Sequence, residues 1–140
     1  MGVKNIFKRY ELKFMLTTQQ YIQLKELMKK YMLGDEFGKS TICNLYFDTP
    51  DYLLIRHSIE KPVYKEKLRL RSYGTPKNDS TVFAELKKKY KSVVYKRRIG
   101  MSEQDAMKFL CERNPVKDTQ ITREIDYFLD FYNNPKPIKT

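Results

Sequence analysis

From residue 7 the chain alternates. Arg9, Glu11 and Lys13 fall on one side of an extended segment and Tyr10, Leu12 and Phe14 on the other, which predicts a β-strand over FKRYELKF, residues 7–14. Thr17 or Thr18 then offers a capping hydroxyl, and TQQYIQLKELMKKYM carries Tyr21, Leu24, Met28 and Tyr31 at helical spacing as far as Gly34. Those four read as the core face of a helix. STICNLYFDTP (40–50) predicts a second strand ended by Thr49-Pro50, and DYLLIRHSI (51–59) a short helix or irregular turn closed by Lys61-Pro62.

Three strands follow in quick succession. KEKLRLRSY (65–73) leads through a turn at 74–79 to TVFAELKKK (81–89), and Tyr90-Lys91-Ser92 connects tightly to VVYKRRI (93–99). Short strands joined by short links predict an antiparallel meander. Gly100 ends it, and Ser102 caps a helix over SEQDAMKFLCER. A last helix, DTQITREIDYFLDFYNN, presents Ile121, Ile125, Phe128 and Tyr132 on one face, and the two prolines of NPKPIKT read as the end of regular structure. The fold class expected is α+β, an antiparallel sheet with helices packed on one side.

Charge changes this picture. The net charge is +11, but residues 61–100 hold thirteen Lys and Arg against three acids, so nearly all the excess sits in the segment that contains the three consecutive strands. In KEKLRLR, Lys65, Lys67, Arg69 and Arg71 occupy alternate positions and share one face. Phe83, Glu85, Lys87 and Lys89 share a face of the next strand, and Lys96 and Arg98 of the one after. A half-solvated antiparallel sheet accounts for the alternation alone. It accounts less well for faces made mainly of Lys and Arg, because like charges opposed across strands destabilise a sheet. A polyanionic partner supplies the missing counter-charge. Arg offers a fork matched to phosphate oxygens and Lys a compact ammonium. Glu11 and Glu85 among these cations could hold a divalent metal or simply neutralise lysines; local sequence leaves both open.

Other chemistry finds little support. Cys43 and Cys111 are far apart and lack metal-site spacing, so they read as ordinary thiols of a reducing compartment. His57, the single histidine, has no nucleophile or acid partnered with it in sequence and reads as a surface residue. No apolar run reaches a membrane span and the N-terminus lacks a signal-peptide core, so a cytoplasmic location is expected. Tyr73, Tyr90 and Tyr95 near the cations raise an alternative, a module that stacks RNA bases. Their placement at strand ends, or for Tyr95 on the face away from Lys96 and Arg98, makes a poor platform, and no nucleic-acid partner is expected.

RYELKF (9–14), LYFDTPD (45–51), KLRLRSYG (67–74), FAELKKKYKSVVYKRR (83–98) and ITREIDYFL (121–129), in this order, resemble the VTC domain. That is a polyphosphate polymerase domain within the triphosphate tunnel metalloenzymes, alongside CYTH-type triphosphatases. The resemblance implies an antiparallel tunnel with a concave charged face and helices outside. It implies that Arg9, Lys13, Arg69, Arg71, Lys87, Lys96 and Arg98 face a phosphate chain, joined by Lys67 and Lys89 on the same strand faces. Arg69, Arg71, Lys87 and Lys96 are the residues expected to carry catalysis, and Glu11 and Glu85 match the acidic positions, where binding of Mn²⁺ or Mg²⁺, or pairing with lysines, is expected. The implied activity is transfer of the γ-phosphoryl group of ATP to polyphosphate; the alternative is metal-dependent hydrolysis of triphosphate. Neither needs a protein nucleophile. By the same resemblance, residues 1–140 form a single domain corresponding to the N-terminal part of the tunnel, without its C-terminal half. Such a half-tunnel reads as a truncated chain, as the product of a split or degenerate gene, or as a half-barrel that a homodimer completes. Replacing Arg69 and Arg71 together is expected to abolish phosphate binding and leave the fold intact.

Overall fold

A computed structural model describes residues 6–10, 12–36, 38–114 and 117–138, apart from the side chains of Phe7 and Arg9. The elements run β1 (Ile6–Tyr10), α1 (Thr18–Met28), β2 (Ile42–Asp48), α2 (Leu53–Glu60), β3 (Tyr64–Tyr73), β4 (Thr81–Tyr90), β5 (Val93–Ser102), α3 (Glu103–Glu112), α4 (Gln120–Phe131) and β6 (Lys136–Ile138). Among the described residues the six strands form one sheet in the order β1-β5-β4-β3-β2-β6, and every pair is antiparallel. The α+β class and the meander of β3, β4 and β5 are as the alternation predicts. The β4–β5 connection is a two-residue turn at Lys91-Ser92 with both φ values positive, 45° and 67°. That is the mirror-image turn whose twist matches a hairpin.

One face of the sheet is apolar and covered. Leu68 and Leu70 on β3, Val82, Ala84 and Leu86 on β4, and Ile99 and Met101 on β5 are buried against Ala106, Phe109 and Leu110 of α3 and Ile125, Phe128 and Leu129 of α4. Ser102 caps α3 by accepting from the Asp105 amide, and Thr119 caps α4 by accepting from the Thr122 amide. Arg113, at the C-cap of α3, ties the two helices together through Asp126 (2.6 Å) and Asp130 (2.8 Å). Polar contacts finish the rim. Arg97 meets Glu124 of α4 at 2.8 Å, and the Tyr132 hydroxyl donates to Glu66 at 2.9 Å.

Asp48, at the end of β2, is 3 % exposed and accepts from the amides of Thr49, Leu54 and Ile55. Its carboxylate therefore satisfies the exposed donors at the start of α2 and pins that helix to the sheet.

Three expectations need correction. β1 ends at Tyr10 rather than at residue 14, so Lys13 lies beyond the strand. α1 ends at Met28, and Tyr21, Leu24, Met28 and Tyr31 are not core: they are exposed by 54, 43, 38 and 84 %. Helical spacing supplies an apolar face, but no element among the described residues covers this one. The tail does not end regular structure either, because Lys136–Ile138 pairs with β2 and Pro137 lies opposite Phe47. An edge strand tolerates proline, since one side of its ladder needs no donor.

Candidate functional site

The opposite face of the sheet carries the charges, and strand register sorts them into rows. Tyr46, Arg69, Glu85 and Arg98 lie side by side across β2, β3, β4 and β5. Towards one end the next row is Asn44, Arg71, Phe83 and Gly100. Towards the other, Lys67, Lys87 and Lys96 stand directly opposed, and beyond them Lys65 faces Lys89.

Glu85 organises the arginine end. It is fully buried, and its Oε2 accepts from Arg69 Nε at 2.8 Å and Nη2 at 2.7 Å, a two-point fork. Arg71 reaches the same oxygen at 4.0 Å, while Lys96 and Arg98 approach Oε1 at 3.7 and 3.9 Å. Oε1 has no hydrogen-bond partner among the described residues. One carboxylate thus gathers four cations without neutralising them. Their side chains are fixed from outside as well. Arg69 Nη1 donates to the Tyr46 hydroxyl (3.2 Å), Arg71 Nε donates to Asn44 Oδ1 (3.0 Å), and the Arg98 guanidinium lies 4.7 Å from the centre of the Phe83 ring. Burial works against the charge on Arg69, but the hydrogen bonds with Tyr46 and Glu85 outweigh it and raise its pKa. Burial likewise pushes the Tyr46 hydroxyl up, and the bond and charge of Arg69, with Lys67 and Arg71, bring it net below the ordinary tyrosine value.

The row of Lys67, Lys87 and Lys96 lies beside Glu85, whose Oε1 is 3.7 Å from Lys96. Burial, then the neighbouring cations Lys87, Arg69 and Lys65, lower the pKa of Lys67 despite the opposing influence of Tyr46. Lys65 is lowered by burial and by Lys89, Lys61, Lys87 and Lys13. Burial lowers Lys96 too, with Glu85 opposing and Arg98 adding to the effect. Lys13, Lys65, Lys67, Lys87 and Lys89 line one cavity of about 350 Å³, with Glu66 the acid among its lining residues. Such crowding disfavours protonation of Lys65 and Lys67, and an anion in the cavity would relieve it.

The structure therefore brings together Lys67, Arg69, Arg71, Glu85, Lys87, Lys89, Lys96 and Arg98, and it adds Lys13 from the segment after β1. Arg9 is opposite Val94 by register, but its side chain, like all of Glu11, lies outside the described residues. Tyr46, Asn44 and Phe83 were missed as site residues. The alternation of Asn44 and Tyr46 along β2 was the available signal.

His57 is exposed on α2, and Cys43 and Cys111 are free thiols. Tyr95 stacks under Lys8 (5.8 Å), and by register both point away from the row of Lys96. The described residues do not suit a metal ion. No three His, Cys, Asp or Glu among them converge, and Glu85 is surrounded by cations with one oxygen engaged by Arg69.

The family model described as VTC domain matches residues 8–135. The chain belongs to the VTC domain family. No curated protein matches it. Among solved structures it is similar to the crystal structure of a "putative adenylate cyclase" from Bacillus halodurans, with a TM-score of 0.52 and 18 % identity, over 98 % of this chain and 62 % of that one. This likeness concerns the fold: the VTC chain spans about three-fifths of that structure's length. No helix among its described residues is long and apolar enough to cross a membrane.

Proposed function

We propose that the charged face binds a linear oligophosphate or the phosphate tail of a nucleotide. We propose further that the activity it serves is transfer of the γ-phosphoryl group of ATP to polyphosphate. The observation that carries this reading is the register that sets Lys67, Lys87 and Lys96 directly opposite one another on three strands, beside Arg69, Arg71 and Arg98 on the same face. Like charges so placed cost stability, and a bound polyanion recovers it. From Lys65 to Arg71 the wall extends about 20 Å at the rise of a strand, enough for several phosphate groups in line. Phosphoryl transfer asks a protein mainly to position the phosphates and offset their charge. Arg69, Arg71, Lys87 and Lys96 are arranged to do that, with Glu85 holding the arginine end. Mn²⁺ or Mg²⁺ enters this reading bound to the phosphates rather than to a site built from the described residues. A second copy of the chain completes the wall.

Incubation with ATP and Mn²⁺, followed by separate assays for polyphosphate and free phosphate, distinguishes polymerase from hydrolase. Polyphosphate formation is the expected result. Free phosphate alone would establish the hydrolase instead. Failure of tripolyphosphate to bind at all would overturn the whole reading.

A further inference from the structure

A second cavity of about 160 Å³ adjoins the lysine cavity, and Ser58 and Lys67 line both. Its other walls are Tyr46, Phe47, Asp48, Leu54, Ile55 and Ile138. Two of the polar groups here are already engaged. Asp48 accepts from three backbone amides, and Lys67 lies 5.6 Å from the centre of the Tyr46 ring. What remains to meet a ligand is aliphatic and aromatic surface, next to a concentration of lysines. Together the two volumes fall within the range of small-molecule sites, about 300–1,000 Å³.

An apolar pocket joined to a cationic one fits a ligand with a flat ring at one end and phosphates at the other. We propose that the cavity between β2, α2 and β6 receives the base of a nucleoside oligophosphate whose phosphates pass Lys67 into the lysine cavity. This rests on the phosphate-binding reading above and adds a subsite to it: the ring, not only the phosphates, contributes to binding.

The test compares ATP with methyl triphosphate, which has the same phosphate chain and charge but no ring, by calorimetry at fixed pH and salt. ATP is expected to bind about tenfold more tightly, the scale of one buried aromatic contact. Ile55→Gln should abolish that advantage and leave the affinity for methyl triphosphate unchanged; Ile55 is 47 % exposed, so the fold does not depend on it. In the unsubstituted protein, the methyl resonances of Ile55 and Ile138 should shift with ATP and stay in place with methyl triphosphate. Equal affinities, or unmoved methyl resonances with ATP, would overturn the base subsite while the phosphate site stands. Absence of binding by methyl triphosphate and ATP alike would overturn both.

Discussion

Arg69 and Arg71 are two residues apart on β3 and both face the wall, but their removal should have different consequences. Arg69 holds the fully buried Glu85 by a fork, and its own side chain is only 10 % exposed. Arg69→Ala strips a buried carboxylate of its principal partner, a loss that costs about 3 kcal/mol or more. Arg71 bonds to Asn44 and approaches Glu85 only at 4.0 Å. Arg71→Ala should cost under about 1 kcal/mol and weaken tripolyphosphate binding about tenfold. Urea denaturation and calorimetry on the two single variants separate the effects. The double alanine variant should therefore lose stability as well as phosphate affinity, because its Arg69 half holds Glu85. A stable Arg69→Ala protein would show that Lys96 and Arg98 suffice to hold Glu85.

At the scale of elements, the β4–β5 turn is strained where Lys91 and Ser92 both have positive φ. Non-glycine residues there cost on the order of 1 kcal/mol each, and Asn-Gly is the pair this turn prefers. Lys91→Asn with Ser92→Gly should therefore raise the denaturation midpoint, by about 1 kcal/mol in stability, and leave phosphate affinity unchanged. No gain in stability would mean that the turn is not strained. The same turn shows what sequence could reveal. Its length and the period-two patterns of β3, β4 and β5 are local, so these strands, their two faces and the cations upon them were legible. The burial of α1 depends on what covers it, and the pairing of Lys136–Ile138 on a distant strand, so neither was. Tyr46 and Asn44 escaped notice for a similar reason. Only register places them beside Arg69 and Arg71, and neither residue type announces a phosphate wall.

For the molecule as a whole, two features oppose each other. A net charge of +11, most of it within residues 61–100, resists association of copies. Yet Ile22, Leu24 and Leu27 of α1, with Phe14, Met15 and Leu33 beside it, are exposed by 43 to 97 %, more apolar surface than a monomer usually leaves in water. Self-association through α1 is the expected resolution. Sedimentation should show a mass rising from 16.9 kDa towards twice that value at concentrations on the order of tens of micromolar. Added salt should favour the larger species, because screening weakens repulsion between the charged faces and leaves apolar contacts intact. Leu24→Gln with Leu27→Gln should return the protein to 16.9 kDa, and these substitutions remove no buried contact because α1 buries none of its residues. A single species of 16.9 kDa in the unsubstituted protein at every salt concentration would rule out this use of α1 and with it the dimer. Association that salt dissolves would instead assign the interface to charges.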